Sequence, residues 1–295
     1  MLGSTLLLGL LLALASGAAW TGLDAVRKRL AADLSPLAIL LGLTATQLPL
    51  HGAFVWAAPP ARVDVLPFLG WSGLAAANAI AANGLLVVAV RTSPLSLTTP
   101  FLSFTPVATL LTGWLLLGQR PAPVALAGVA AVVVGALLLN ATPRQALRAP
   151  LHGLREPGSR LALVVALLFA LGNAVDRRAV LHASEPLYAL TVNGLVAVTL
   201  AAFPRLRREL RDRPRALATL AAGGAIMAAA LLLQLFAFRY LYVAYVDAVK
   251  RGGGNLFAVA FGRVFFGERG ARRQLLAALV MSAGIALVVW RGSAG

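Results

Sequence analysis

The sequence predicts an all-α integral membrane protein with ten transmembrane helices, arranged as two inverted five-helix repeats. Three observations support this prediction: the composition, the lengths of the apolar runs and an internal repeat. Of the 295 residues, 60% are hydrophobic and only 12% are charged. A soluble domain has about 45–50% apolar and about 25% charged residues. The composition therefore excludes a water-soluble enzyme, a coiled coil and a disordered chain.

The charge is strongly basic, with 26 Lys and Arg against 10 Asp and Glu and a formal net charge of +16. Most basic residues fall in short breaks between apolar runs, where they orient a membrane protein and meet anionic lipid headgroups. No basic face is interleaved with aromatic residues, so nucleic acid is not an expected partner. The chain has no cysteine, and its three histidines lack metal-ligand spacing. We expect no metal and no cofactor.

A helix crosses the hydrocarbon core of about 30 Å in roughly 20 residues. Eight stretches avoid charged residues for long enough to be spans: Met1–Leu23, Leu34–Ala61, Val65–Val90, Thr92–Gln119, Pro121–Pro143, Pro186–Pro204, Ala216–Phe238 and Gln274–Trp290. Two weaker segments are Leu161–Val175, which ends at Asp176, and Tyr240–Gly267, which contains several charges. The first stretch resembles a secretory signal but lacks a basic leader, so we interpret it as a retained span.

An internal repeat with an offset of 149 residues sets the number of spans at ten. Gly118-Gln119-Arg120 reappears as Gly267-Glu268-Arg269, and the same offset relates Gly135 to Gly284. The two halves are residues 1–143 and 160–295, joined by a linker over 144–159. Because each half has an odd number of spans, the halves are inverted relative to each other, and a substrate site is expected between them.

Several motifs occur in an order that is typical of one transporter family. They are Gly17-Ala18-Ala19-Trp20 in span one, the basic end Val26-Arg27-Lys28-Arg29, Pro106 in span four, and the closing sequences 115–120 and 265–269. With these motifs the chain resembles the EamA-type ten-helix carriers of the drug/metabolite transporter superfamily over almost its whole length. Gln119 stands where the family usually has Glu, and Asn255 where the second half often has Pro. The resemblance implies that Lys28 lies near the translocation path.

Span nine carries the strongest candidate site. Asp247, Lys250, Arg251 and Gly254 share one helical face, since they are spaced i, i+3, i+4 and i+7. A cation at membrane depth costs about 2.5–3.5 kcal/mol, and a carboxylate one turn away lowers that cost. The glycines at 252–254 favour either a close helix approach or a broken helix lining water. We expect a charged patch on a cavity wall; the alternative is a helix that begins late, with charges that reach the headgroups.

Other spans offer weaker candidates. A hydroxyl stripe in span four either lines the cavity or only packs, and a second stripe (98, 105, 109 and 112) is more typical of packing. Span one ends with a polar stripe at i, i+4 and i+8, and isolated amides occur in apolar spans. The predicted substrate-binding residues are Trp20, Asp24, Lys28, Asn78, Ser96, Thr99, Ser103, Asn173, Gln234, Tyr245, Asp247, Lys250 and Arg251.

These features predict a secondary active or facilitative transporter that exports small metabolites. Amino acids or similar zwitterions are the first choice, because the patch on span nine carries both signs. A lipid or lipid-linked sugar flippase is the alternative; a membrane enzyme is third, since no catalytic motif is present. We expect a multi-pass protein of the plasma (cell inner) membrane, a monomer or homodimer, with a small-molecule substrate and membrane lipids as partners.

The orientation is predicted differently by two arguments. The loops after odd-numbered spans are the more basic, and residues 204–215 alone contain six arginines. The positive-inside rule then places both termini outside. The family resemblance implies both termini in the cytoplasm.

Overall fold

The computed structural model describes residues 2–92, 101–140, 156–266 and 272–291. All secondary structure elements in these ranges are helices. In chain order they are α1 (Leu2–Leu30), α2 (Pro36–Ala57), α3 (Val65–Thr92), α4 (Thr105–Leu117), α5 (Pro123–Asn140), α6 (Pro157–Val180), α7 (Glu185–Ala201), α8 (Pro204–Arg211), α9 (Ala216–Ala237), α10 (Val243–Phe266) and α11 (Arg272–Arg291).

Five of these helices are long and apolar enough to cross a membrane: α1, α2, α3, α6 and α9. The pair α7 and α8 adds a sixth candidate span, bent by 95° at the break. Shorter apolar helices occur at Thr105–Leu117, Pro123–Leu138 and Leu276–Val288. The structure therefore confirms an all-helical membrane protein with five or six candidate spans in its described part. Helix α8 was not predicted, because its many charged residues indicated a loop.

A capping serine with a proline one or two residues later starts two corresponding helices. The Ser35 hydroxyl accepts a hydrogen bond from Ala38 N at the start of α2, and the Ser184 hydroxyl accepts one from Leu187 N at the start of α7, both at 3.4 Å. In each helix a proline lies in the first turn, where its missing N–H costs nothing. Gly118 ends α4 with φ of 67°, a left-handed conformation that favours glycine.

The main helix contacts join α1–α5 to the later helices. Helix α5 packs on α11, α3 on α6, α1 on α9 and α10, α2 on α7 and α9, and α4 on α6 and α10. Suppose that α1–α5 are exchanged in order with α6, α7, α9, α10 and α11. The α3–α6 contact then becomes the α1–α9 contact, and the α1–α10 contact becomes the α4–α6 contact. Helix α8 stands outside this exchange.

Small residues allow the closest of these contacts. A Cβ on Gly128 would lie 2.7 Å from the Gly284 oxygen, and one on Gly135 would lie 2.9 Å from the Ala277 oxygen. Adding 149 to 128 and 135 gives 277 and 284, so the repeat offset converts one contact into the other.

The glycines at 252–254 serve close packing as well. Helix α10 runs unbroken from Val243 to Phe266 through them. A Cβ on Gly254 would lie 3.0 Å from the Gly17 oxygen, and a Cβ on Gly17 would lie 2.3 Å from the Lys250 oxygen. Of the two predicted roles for these glycines, close helix approach is the one observed.

Contacts between connecting segments define two ends of the bundle. At the first, which we call end A, Asp64 N donates to the His182 oxygen at 2.9 Å, and Val243 N donates to Gln119 Oε1 at 3.1 Å. At the second, end B, Glu209 accepts hydrogen bonds from the backbone N–H and the hydroxyl of Ser35. An ion pair of 3.2 Å between Arg213 Nη1 and Asp33 Oδ1 also lies at end B.

Candidate functional site

A closed ring of polar side chains lies between four helices. Its members, which we call the polar ring, are Thr109 on α4, Asn173 on α6, Gln234 on α9, and Asp247 and Lys250 on α10. Each side chain contacts the next, and the last contacts the first. The ring therefore links one helix of the first half to three helices of the second.

The charged part of the ring is an ion-pair cluster on α10. Asp247 Oδ1 lies 3.2 Å from Lys250 Nζ, and Asp247 Oδ2 lies 3.4 Å from Arg251 Nε. The Asp247 side chain is 1% exposed, that of Lys250 14% and that of Arg251 29%. A carboxylate this buried is tolerated when it is paired with cations. The i, i+3 and i+4 spacing on one helical turn brings the three groups together.

Uncharged amides close the ring. Lys250 Nζ donates to Gln234 Oε1 at 2.8 Å, and Gln234 Nε2 donates to Asn173 Oδ1 at 3.2 Å. Asn173 Nδ2 in turn donates to Thr109 Oγ1 at 3.5 Å. The Thr109 hydroxyl has two acceptors in reach, Asp247 Oδ2 at 3.4 Å and the Thr105 oxygen at 2.8 Å.

Two further carboxylates, those of Asp176 and Asp24, lie near the ion-pair cluster. Tyr188 on α7 donates to Asp176 Oδ1 at 2.5 Å, and Asp176 lies within electrostatic range of Lys250. Asp24 on α1 lies within electrostatic range of Arg251. Each cation of the cluster thus has Asp247 as a shared partner and a second carboxylate at longer range.

The ring lies between end A and the middle of the bundle. Lys250 is seven residues into α10, which corresponds to about 10 Å along a helix. This is roughly a third of the 30 Å hydrocarbon thickness.

Comparison with known proteins agrees with this architecture. Residues 7–141 match the sequence model of the EamA-like transporter family. The predicted resemblance to EamA-type carriers is thereby confirmed over these residues. No curated protein matches the chain at a significant level.

Solved structures resemble the fold of this chain. One crystal structure, described only as that of a protein, has a TM-score of 0.72 and 14% sequence identity over 96% of this chain and 97% of the other. At that identity the likeness shows the fold alone. The matched family is one of membrane transporters, and the apolar helices agree with a multi-pass membrane protein.

Five of the predicted site residues come together in the structure: Asn173, Gln234, Asp247, Lys250 and Arg251. The stripe on α1 lies outside the ring. Asp24 pairs with Arg27 at 3.3 Å, and the Arg27 guanidinium stacks 5.6 Å from the centre of the Trp20 ring. Lys28 is exposed near the end of α1, towards end B.

The remaining predicted residues make other contacts. Asn78 is buried and donates to the Leu168 oxygen at 3.0 Å, which ties α3 to α6. Tyr245 is buried, and its hydroxyl accepts a hydrogen bond from Ala122 N at 3.2 Å, at end A. Ser103 is buried. Ser96 and Thr99 lie outside the described residues.

Sequence reasoning missed three members of the site. Thr109 belonged to the hydroxyl stripe that was read as helix packing, and Asp176 was treated only as the residue that ends an apolar run. Tyr188 carried no signal of its own. The available signal was the spacing of Asn173 and Asp176, which places an amide and a carboxylate one turn apart on α6.

The site is closed in this conformation. Asn173 and Gln234 are 6% and 3% exposed, so solvent has little access to the ring. A surface cavity of about 470 Å³ lies elsewhere, between α1 and α9, and is lined by Ala25, Val26, Arg29, Ala218, Thr219 and Ala222. Within the described residues no group of three acidic or histidine side chains has the spacing of a metal site.

An ion pair at end A holds the start of α7 to the turn before α10. Arg239 donates through Nε and Nη2 to the two carboxylate oxygens of Glu185. These hydrogen bonds raise the pKa of Arg239, so the guanidinium is charged at every accessible pH. This contact lies just beyond the polar ring.

Proposed function

We propose that this protein exports small zwitterionic metabolites, amino acids first among them, across the plasma (cell inner) membrane by secondary active or facilitative transport. The observation that carries the proposal is the polar ring with the adjoining Arg251, which together place two cations and a carboxylate among helices of both halves. Charged groups inside a membrane raise the free energy of insertion, and they are typical of substrate or ion pathways.

The proposed architecture is ten spans in two inverted halves, residues 1–143 and 160–295. Leaving out the short α8, ten helices remain in the described part. The exchange of helix contacts and the paired contacts Gly128–Gly284 and Gly135–Ala277 support a pseudo-twofold relation between the halves. Inverted repeats of this kind place their substrate site at the repeat interface.

The charges of the ring and of Arg251 favour a substrate with both signs. Asp247 balances one of the two cations, and the other leaves a positive charge for a substrate carboxylate. Lys250 has three N–H donors. Two acceptors in the described structure, Gln234 Oε1 and Asp247 Oδ1, engage it at 2.8 and 3.2 Å, which leaves capacity for one more. We assign the substrate ammonium group to Asp176, whose second oxygen is not bonded to Tyr188.

Transport then requires the bundle to open from the closed state. The contacts at end A between Val243 and Gln119, and those at end B between Glu209 and Ser35, join the two halves at opposite ends. We propose that these contacts break alternately, which exposes the ring first to one side and then to the other.

The test is uptake by proteoliposomes that contain the purified protein. Zwitterionic, cationic and anionic amino acids, sugars and a fluorescent lipid are supplied in parallel. We expect accelerated uptake of zwitterions, and a loss of at least tenfold in the variants Lys250→Met and Arg251→Met. Sugar uptake or lipid scrambling without amino acid uptake would overturn the proposed substrate class and favour the flippase.

Arg62→Met is the matched control, because it removes one positive charge from a side chain that is 86% exposed at end A. It should transport like the parent protein. If Lys250→Met and Arg251→Met also transport normally while the protein is active, the charges are structural and the proposed site is wrong.

A further inference from the structure

We propose that the outer face of α8 binds the headgroups of anionic phospholipids at end B. The helix has the sequence Pro-Arg-Leu-Arg-Arg-Glu-Leu-Arg. Four of its eight residues are arginines. The EamA-like match over residues 7–141 does not reach this helix.

The leucines and arginines of α8 lie on different sides. Leu206 is buried, and Leu210 packs against the same apolar core. At 100° per residue, these two leucines lie 40° apart. Arg205, Arg207, Arg208 and Arg211 occupy the remaining arc and are all exposed. Helix α8 is therefore fixed to the protein by its leucines, with its arginines directed outward.

The acidic groups near α8 are engaged elsewhere. Glu209 binds the backbone N–H and hydroxyl of Ser35, and Asp33 pairs with Arg213. Among the ion pairs of the described residues, none involves the four outward arginines of α8. Their positive charge is available to an external anion.

The surroundings of α8 identify that anion as a lipid headgroup. The helix turns 95° away from α7, as expected where a chain leaves a span and continues along the membrane surface. Two apolar side chains just before it are exposed, Val198 at 73% and Phe203 at 57%. Exposed apolar groups next to exposed arginines match the boundary between acyl chains and headgroups, and guanidinium groups bind phosphate in a bidentate manner.

Lipid binding at α8 has a structural consequence, because the helix carries Glu209. This residue holds Ser35 at the start of α2, so a lipid that fixes α8 also fixes the contact between the halves at end B. Anionic lipid is thus expected to stabilise the folded protein more than zwitterionic lipid does.

The experiment measures lipid binding to the purified full-length protein in neutral detergent, by native mass spectrometry and by the thermal midpoint. The probes are phosphatidylglycerol, phosphatidylcholine and inorganic phosphate. Each arginine near an anionic surface contributes about 1 kcal/mol, or roughly a fivefold change in affinity. We expect the double variant Arg207→Gln/Arg211→Gln to bind phosphatidylglycerol about 25-fold more weakly.

The matched control is Arg62→Gln/Arg120→Gln, which removes two exposed arginines at end A. It should keep the affinity and the thermal shift. Equal losses in both double variants, no loss in the α8 variant, or equal binding of phosphatidylcholine would overturn the proposal. A shift reproduced by inorganic phosphate would indicate an anion site rather than a lipid site. If the α8 double variant does not fold, Arg211→Gln alone, with an expected fivefold loss, replaces it.

Discussion

Lys250 donates a hydrogen bond of 2.8 Å to Gln234 Oε1 on the preceding span, and this contact connects the ion pair of α10 to the amides of α9 and α6. Without Gln234, the contact between Thr109 and Asp247 would be the only link in the polar ring from the charged cluster to another helix. With it, the state of Lys250 is coupled to the packing of four helices. A substrate carboxylate that draws Lys250 away from Gln234 would loosen that packing.

Replacing Gln234 should therefore weaken both folding and transport. In Gln234→Leu, Lys250 and Asn173 each lose a buried partner, which costs about 1–3 kcal/mol of unfolding free energy. Titration with sodium dodecyl sulfate in mixed micelles measures that loss. In a double-mutant cycle, Gln234→Leu and Asn173→Leu should be less destabilising together than their sum, because both break one hydrogen-bond chain. Additive effects would contradict the chain.

Removing Asp247 should be more harmful than removing either cation. Asp247→Asn removes the carboxylate that Lys250 and Arg251 share and leaves them only carboxylates at longer range, and breaking a buried ion pair in this way costs about 3–5 kcal/mol. Membrane-inserted yield and the detergent unfolding curve report the effect. Adding Lys250→Met to Asp247→Asn should restore part of the yield, since one stranded cation is then gone. Wild-type yield of the single variant would show that the pair contributes little.

The sequence predicted the local part of the site and missed its long-range part. The spacing of Asp247, Lys250 and Arg251 fixes their contacts within one helix, so periodicity alone was sufficient. Gln234 and Asn173 were recognisable as amides in apolar spans, but their mutual contact joins helices 61 residues apart in the chain. Thr109 was not recognisable as a site residue, because a hydroxyl in a membrane span serves helix packing as often as substrate binding.

The same distinction explains the stripe of Trp20, Asp24 and Lys28. The i, i+4 and i+8 spacing puts these residues along one side of α1, but the register of α1 against α10 brings Gly17, not this stripe, to Lys250. That register depends on small residues that face each other, and hydropathy does not measure the size of a side chain. Helix α8 was not predicted because its many charged residues indicated a loop, although two of its leucines pack inward.

The register of α1 against α10 can be tested with two glycines of the same helix. A Cβ on Gly17 would lie 2.3 Å from the Lys250 oxygen, whereas one on Gly22 would have nothing within 4 Å. Gly17→Ala must push the helices apart, and we expect a loss of about 1–3 kcal/mol in the free energy of unfolding. Gly22→Ala should be neutral or up to about 1 kcal/mol more stable, because alanine favours helix. Equal effects of the two variants would contradict this register.

The last prediction concerns which end of the bundle faces the cytoplasm. End B carries the basic end of α1 and the six arginines of residues 204–215, so the positive-inside rule places it in the cytoplasm and both termini outside. Because the sequence has no cysteine, single variants can be labelled with a membrane-impermeant maleimide without a background signal. Ser4→Cys and Ala61→Cys should react in intact cells, and Arg205→Cys only after lysis. Labelling of Arg205→Cys in intact cells, with Ala61→Cys protected, would instead support the orientation implied by the EamA-type carriers.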